Sequence, residues 1–325
     1  MSVTVSPGDI KQLWAEWDAL LSQCASATIF MTPLWHYTWW QELGAGAELR
    51  LVTLREDGNL VGIAPLMCQQ DVLTFLGDTD LWDYHEMVTV KDRDAELLPL
   101  LFDSVAAQSW NLMDLRSIRQ DSPILRYFPD LAQARGYTTE LAKEDVSPGL
   151  VLPATWEEYL TGLSKKDRHE LRRKLRRLES QAAYNFYVIN GTSAPEGYLE
   201  DFFTLMRDSR YDKAIFLTPE RERFFRHMAQ ELARAGILKV FFMEVSGQRV
   251  ASALCFDYGQ TRFLYNSGYN PEYGALSVGL LLKALCLQQA IEEKKTYFDF
   301  LRGDEPYKYD LGAKDVQLYR LTIRR

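Results

Sequence analysis

The sequence predicts a mixed α/β protein made of two halves, and three observations carry that prediction. At 325 residues the chain exceeds the size at which a single hydrophobic core stops growing, so two domains of about 150 residues each are expected. The stretch "LRLVTLREDGNLVGIAPL" (49–66) lies without a gap on "LKVFFMEVSGQRVASALC" (238–255): Leu49 meets Leu238, Arg50 meets Lys239, Gly58 meets Gly247, Val61 meets Val250 and Ala64 meets Ala253. Beyond each copy a helical stretch precedes a strand that reaches an aspartate. "LLPLLFDSVAAQSWNLMDLR" arrives at Asp114 and Arg116, and "LLLKALCLQQAIEEKKTYFDFLR" at Asp299 and Arg302.

In chain order, "GDIKQLWAEWDALL" reads as a first helix with Asp9 at its cap. In "WHYTWW" Trp35 and Trp39 lie at helical spacing, which favours packing in the core or between the halves over a sugar platform. Each of the two aligned stretches reads as a β-hairpin, an apolar strand, a glycine-containing turn and a second strand with small residues. The polar, then Pro/Gly-containing segment 141–155 is the natural crossing, giving domains 1–150 and 151–325. The second half opens with helical material in "TWEEYLTGLSKKDRHELRRKLRRLESQAA", "YLEDFFTLMRDSRYD" and "ERERFFRHMAQELARAG", the last with Pro219 in its first turn. Each half therefore reads helix, helix, strand, strand, strand, helix, strand.

Composition narrows the class. The chain is 47% hydrophobic and 25% charged, its longest apolar run is interrupted by Lys283, and no membrane span is expected. The N-terminal residues lack a basic segment followed by an apolar one, so the cytoplasm is the expected compartment. The four cysteines are far apart and read as buried apolar groups, not as metal ligands or a disulfide framework. A net charge of −8 argues against general nucleic-acid binding, although a local basic patch remains possible. P-loop, nucleophile-elbow and zincin motifs are missing from the sequence.

Five stretches carry candidate chemistry. In "RGDEPYKYD" (302–310), Gly303 permits a tight exit from the strand and Pro306 rigidifies the return, bringing Arg302, Asp304 and Lys308 together. These residues either neutralise a developing charge and supply a base, or form an ion-pair network fastening the C-terminal tail. Strand alternation puts Tyr265 and Tyr269 on one face, as a proton donor and a substrate contact or as core packing. "SGYNPEYGALSVGLLL" puts Ser277, Val278 and Gly279 before an apolar helix, either as an anion site or as a cap with turn glycines. "KKDRHELRRKLRR", Lys165 to Arg177, is an amphipathic helix whose basic exterior is either a solvated face or a patch for an anionic surface or tRNA. "GDTDLWDYHEMV" gathers Asp83 and His85 in a polar turn where a metal site is not expected.

The segment "YNSGYNPEYGALSVGLLLKALCLQQAIEEKKTYFDFLRGDEPYKYDLGA" (265–313) resembles the signature of the bacterial GNAT-like family named after a cellulose-biosynthesis acetyltransferase. That family is itself similar to the Fem-type peptidoglycan aminoacyltransferases, which carry two GNAT-like halves. The resemblance spans roughly 160–313, with "TPLWHYTWW" as its main trace in the first half. It implies an α/β fold of two GNAT-like halves, each a mostly antiparallel sheet flanked by helices. It also implies acyl transfer from acetyl-CoA or another acyl-CoA to an amine or hydroxyl of a small-molecule or glycan-precursor acceptor in cell-envelope or polysaccharide biosynthesis. Under this resemblance Ser277, Val278, Gly279 and Arg302 hold the donor, while Asp304, Lys308 and Tyr265 carry the chemistry. Tyr269, Asp83 and His85 then face the acceptor. Two alternatives stay open: a Fem-type transfer from aminoacyl-tRNA, and a catalytically silent binding protein of the same fold.

Overall fold

The computed structural model describes residues 2–6, 9–24, 27–191 and 197–325. The chain divides into Met1–Val146 with Val316–Arg325, and Ser147–Asp315. The expected division was 1–150 and 151–325, and the C-terminal strand departs from it. The last strand leaves the second half and joins the sheet of the first.

The first unit contains β1 (Ser2–Ser6), α1 (Ile10–Leu21), α2 (Pro33–Leu43), β2 (Glu48–Glu56), β3 (Asn59–Gln69), β4 (Val72–Phe75), β5 (Val88–Thr89), α3 (Asp94–Ala106), β6 (Leu112–Arg119), α4 (Pro123–Gln133) and β7 (Thr138–Val146). Asp9 caps α1 by accepting the Lys11 N–H at 2.9 Å, and Ile10, Leu13, Trp17 and Leu20 form the buried face. The sheet runs β1-β2-β3-β4-β6-β14-β7, with β5 paired to β3 and β14 being Gln317–Arg324. Leu318, Leu321 and Ile323 of β14 are buried, and Arg320 grips Asp114 of β6 with two bonds of 2.6 and 2.9 Å.

The second unit contains β8 (Gly149–Val151), α5 (Trp156–Gly162), α6 (Lys165–Gln181), β9 (Tyr184–Asn190), α7 (Tyr198–Ser209), α8 (Tyr211–Phe216), α9 (Pro219–Arg234), β10 (Leu238–Val245), β11 (Gln248–Tyr258), β12 (Thr261–Tyr269), α10 (Val278–Glu292), β13 (Tyr297–Asp299) and α11 (Pro306–Asp310). The helical stretch 155–183 is two helices because each start has its own cap. Thr155 and Glu158 form a capping box, and Ser164 accepts the Asp167 N–H at 3.2 Å. The sheet runs β8-β13-β12-β11-β10-β9, and its pairs are antiparallel except β12 with β13. The first sheet has its parallel pair, β4 with β6, in the corresponding position. Both units are thus mostly antiparallel sheets flanked by helices.

The repeat extends to fine geometry. Asp57 and Gly58 take φ of 50° and 86°, and their counterparts Ser246 and Gly247 take 52° and 80°, as a tight hairpin turn requires. A register shift falls between Leu54 and Arg55 in one hairpin and between Met243 and Glu244 in the other, the aligned positions. In the second unit α10 packs on the sheet through Leu281, Ala284, Cys286 and Leu287. Arg262 of β12 is fully buried, paired with Asp257 at 2.8 Å and Glu293 at 2.6 Å, and so ties the strand to the end of α10. On the opposite face α7 lies so close that a Cβ on Gly268 would stand 2.3 Å from the backbone of Leu205 and Met206. Gly268 is therefore a packing glycine, not a turn former.

Two buried ionisable groups of the first unit are shifted far by burial. His36 is held between Trp17 and Trp82, and burial pulls its pKa down to about 3. Glu86 accepts the Met87 N–H at 2.9 Å, and burial pushes its carboxyl up to about 8. A neutral buried histidine favours folding above its unfolded value and loses that contribution as the pH falls. A raised carboxyl does the reverse, holding its contribution below its unfolded value and losing it as the pH rises toward 8. Replacing Glu86 with Gln should therefore stabilise the protein relative to wild type increasingly with pH, by up to about 1.4 kcal/mol per unit between 4.5 and 8. Urea unfolding at several pH values measures that difference; a gap that does not change with pH would contradict the assignment.

Candidate active site

The feature that organises the second unit is the parting of its one parallel strand pair. β12 and β13 pair at Thr261–Tyr297, Arg262–Phe298 and Phe263–Asp299 and then separate. Among the described residues no strand pairs with that edge of β12 from Leu264 to Tyr269. On the β13 side, Asp299 Oδ1 accepts the Leu301 N–H at 2.9 Å, and Leu301 adopts φ of 60°. The chain turns away instead of continuing beside β12.

Lys308 holds that turn. It is 1% exposed, and its Nζ donates to the carbonyls of Leu301, Arg302 and Gly303 at 2.8, 2.7 and 2.9 Å while pairing with Glu305 at 2.9 Å. All three ammonium donors are committed. The expectation that Lys308 meets a substrate is corrected: it is a structural clasp. Asp304, expected as a base or as part of an ion-pair network, is exposed, and Glu305 is the carboxylate that pairs with Lys308. Arg302 is half-buried and offers its carbonyl to the clasp.

On the β12 side a register shift separates Leu254 from Cys255, opposite Asn266 and Leu264, so Tyr265 is the extra residue of a bulge. The bulge breaks the alternation that was expected to put Tyr265 and Tyr269 on one face. Tyr265 packs against Phe225 of α9 and Phe256, at 5.6 and 4.9 Å between ring centres. Tyr269 lies on the other face, its ring against Gly279 of α10.

Two lysines that the sequence reading did not single out for the site converge here. Lys213 of α8 donates to Asn266 Oδ1 at 3.1 Å and to the Ser267 carbonyl at 2.5 Å, just past the bulge. Lys283 of α10 donates to the Gly279 carbonyl at 3.0 Å and sits 4.6 Å from the centre of the Tyr307 ring. Burial lowers Lys213 to about 7, helped by the charge of Lys283, and burial lowers Lys283 to about 8. Lys283 had a sequence signal, as a lysine inside an apolar helix. Lys213 had none, because α8 is one short turn without periodicity.

The start of α10 flanks the same place. Ser277 takes a left-handed φ of 58° and makes no cap bond, so it is not an ordinary N-cap. Its hydroxyl instead accepts from Arg177 Nη2 at 2.9 Å, which brings the last turn of basic α6 to the N-terminus of α10. The Arg177 Nε is buried there without a hydrogen-bond partner. Val278 and Gly279 occupy the first turn, where backbone N–H groups point out of the helix. A guanidinium, a free helix N-terminus and two lysines make this edge an anion-favouring one.

The corresponding place in the first unit is filled. The ring of His85 stacks on Phe75 at 5.2 Å and on Trp82 at 5.1 Å, while its backbone N–H and Nδ1 contact the Ser117 and Arg116 carbonyls of β6 at 3.1 and 3.2 Å. His85 is thus wedged between the end of β4 and β6, and its expected role as an acceptor contact is corrected to that of a plug. Asp83 is half-buried in the same loop. Asp78 organises that loop by accepting the Trp39 Nε1–H at 2.8 Å and the Asp80 and Leu81 N–H groups at 2.9 Å. Asp94 and Glu96 stand in the first turn of α3, where they would repel an anion. No group of three metal-ligating side chains is found among the described residues, and no helix there is long and apolar enough to cross a membrane.

Residues 165–309 match the family model described as acetyltransferase (GNAT) domain. No curated protein matches the sequence significantly. Among solved structures the chain is similar in fold to FemX, at 13% identity and a TM-score of 0.65 over 98% of this chain and 97% of that one. It is also similar to L-PGS from Bacillus licheniformis, at 14% identity and 0.58 over 95% and 91%. A tandem GNAT protein from the clavulanic acid biosynthesis pathway, in a structure without AcCoA, matches at 12% identity and 0.51 over 98% and 97%. At such identities the similarity is one of fold, and that fold is tandem GNAT-like.

The clasp predicts a clear stability contrast. Lys308→Met removes the partner of the half-exposed Glu305 and leaves three carbonyls unmet, so urea unfolding should show a loss of about 1–3 kcal/mol, the cost of unsatisfied buried acceptors. Asp304→Ala should stay within about 0.5 kcal/mol of wild type. Equal effects of the two replacements would contradict the clasp.

Proposed function

We propose that the second unit is an acyltransferase site, moving an acyl group from acetyl-CoA or another acyl-CoA to an amine or hydroxyl of a cell-envelope or polysaccharide precursor in the cytoplasm. The observation that carries this reading is the parting of β12 and β13 beside the N-terminus of α10, where no strand pairs with β12 among the described residues, set against the parting that His85 fills in the first unit. An extended thioester can pair with the vacant edge of β12. Its diphosphate would meet the Val278 and Gly279 N–H groups and Arg177, with Arg302 at the rim. Direct attack by the acceptor then needs positioning and a cationic surrounding for the oxyanion, which Lys283 supplies. Tyr269 borders the donor side, while Tyr265 and Asp304 remain candidates for the acceptor side.

A second reading takes aminoacyl-tRNA as donor. The basic exterior of α6 favours it, because Arg177 delivers that helix to the site. The fold similarity to FemX supports the same reading.

Calorimetric and thermal-shift titration with coenzyme A, acetyl-CoA and a long-chain acyl-CoA separates the two. A ligand at about 100 times its dissociation constant stabilises by roughly 2.7 kcal/mol. Arg177→Ala should weaken binding by about 1.5–3 kcal/mol, the worth of a hydrogen bond to a charged group. Silence from all three ligands, together with stabilisation by an aminoacyl-tRNA, would replace the first reading by the second.

A further inference from the structure

We propose that Lys213 is the base that removes the proton from the attacking amine or hydroxyl, an inference that rests on the acyl-transfer reading above. Hydrogen-bond bookkeeping around three lysines of one unit carries it. Lys308 has three carbonyl acceptors and a carboxylate, the surroundings of an ammonium ion. Lys283 has one carbonyl and the face of the Tyr307 ring, which also suits a cation. Lys213 has two acceptors, Asn266 Oδ1 and the Ser267 carbonyl, and no carboxylate within ion-pair distance among the described residues. Two acceptors satisfy a neutral amine completely: both hydrogens are taken, and the nitrogen lone pair is left free for a proton. An ammonium in the same place would keep one N–H without a protein acceptor.

The charges facing Lys213 favour the neutral form. On its own side Arg210 is paired with Asp212 at 2.7 Å, so those two largely cancel. From the loop before α11, Glu305 is already engaged by Lys308. Burial, with Lys283 of α10 as a positive neighbour, holds Lys213 at about 7. A base of that pKa is the kind that works best near neutral pH. The position is also right for access. α8 buries no residue and exposes Tyr211 and Ile215 at 82% and 61%, while Lys213 is drawn in to the bulge where β12 has lost its neighbour.

The step balances. The N–H or O–H bond of the acceptor breaks and its proton goes to the Lys213 lone pair. The freed electron pair bonds to the thioester carbon, the C–S bond breaks with its pair on sulfur, and the thiolate takes the proton back from Lys213. The amine is neutral again and coenzyme A leaves as the thiol.

The test is a pH titration of the full chain labelled with carbon-13 at lysine Cε, combined with coenzyme A release from acetyl-CoA with hydroxylamine as acceptor probe. One resonance, lost in Lys213→Arg, should titrate near 7, and Asn266→Asp should move it upward by placing a carboxylate on the amine. Lys213→Arg should bind acetyl-CoA as wild type does yet release coenzyme A at least about 100-fold more slowly. A Lys213 resonance titrating in the ordinary lysine range, or an arginine variant with the wild-type rate and pH profile, would overturn the proposal. Failure of acetyl-CoA to bind either protein, with the resonance still titrating near 7, would remove the acyl-CoA donor and leave the base in place for another one.

Discussion

The second unit depends on a strand pair that stops early. β13 gives β12 three residues of partnership and then turns away, because the Asp299 carboxylate takes the next backbone N–H it can reach and Lys308 gathers the following three carbonyls. A buried ammonium surrounded by carbonyl oxygens is a costly arrangement unless every donor is used. Here every donor is used, so the turn is held firmly and the edge of β12 stays without a strand. The bulge at Tyr265 completes the geometry from the other side by re-aiming Asn266 and Ser267, which receive Lys213. The chemistry proposed for this protein follows from that one interruption in a sheet.

The two halves show what duplication preserves and what it releases. Hairpin, turn conformation and even the register shift recur at aligned positions, since these follow from local sequence and from packing one sheet face. The partings differ. In the first unit His85 enters the gap with aromatic rings on both sides, and acidic residues stand at the start of α3. In the second, Arg177 and a left-handed Ser277 open the start of α10 toward an anion. In the first unit an aromatic ring fills the parting; in the second, Lys213 and Lys283 flank it.

Much of the fold was legible in the sequence because it is written in short-range signals. Alternation with Asp-Gly and Ser-Gly turns gave the hairpins, and Asp9 and Pro219 marked helix starts where the structure has them. β9 was overlooked, since only Ile189 of its residues is buried and its pattern barely alternates. The membership of β14 could not be read, because which sheet receives a terminal strand is decided by contacts distant in sequence. The closing charged loop drew attention for a sound reason, and of its two readings the ion-pair network is the one Lys308 takes up, with Glu305 and not Asp304 as its partner. Composition shows that Asp304, Glu305 and Lys308 are near one another, not that Lys308 points inward and Asp304 outward. A single bulge put Tyr265 and Tyr269 on opposite faces, and no sequence periodicity announces a bulge. His85 looked like a surface polar residue in an acidic loop, and it is an aromatic filler.

The central claim, that the donor enters the parting of the second unit and not that of the first, is tested most directly by hydrogen–deuterium exchange of the full chain with and without acetyl-CoA. The account predicts slowed exchange over 264–269 and in the first turn of α10, with no change over 72–89 and 112–119. Protection over 72–89 or 112–119, or none at the start of α10 under saturating ligand, would contradict it.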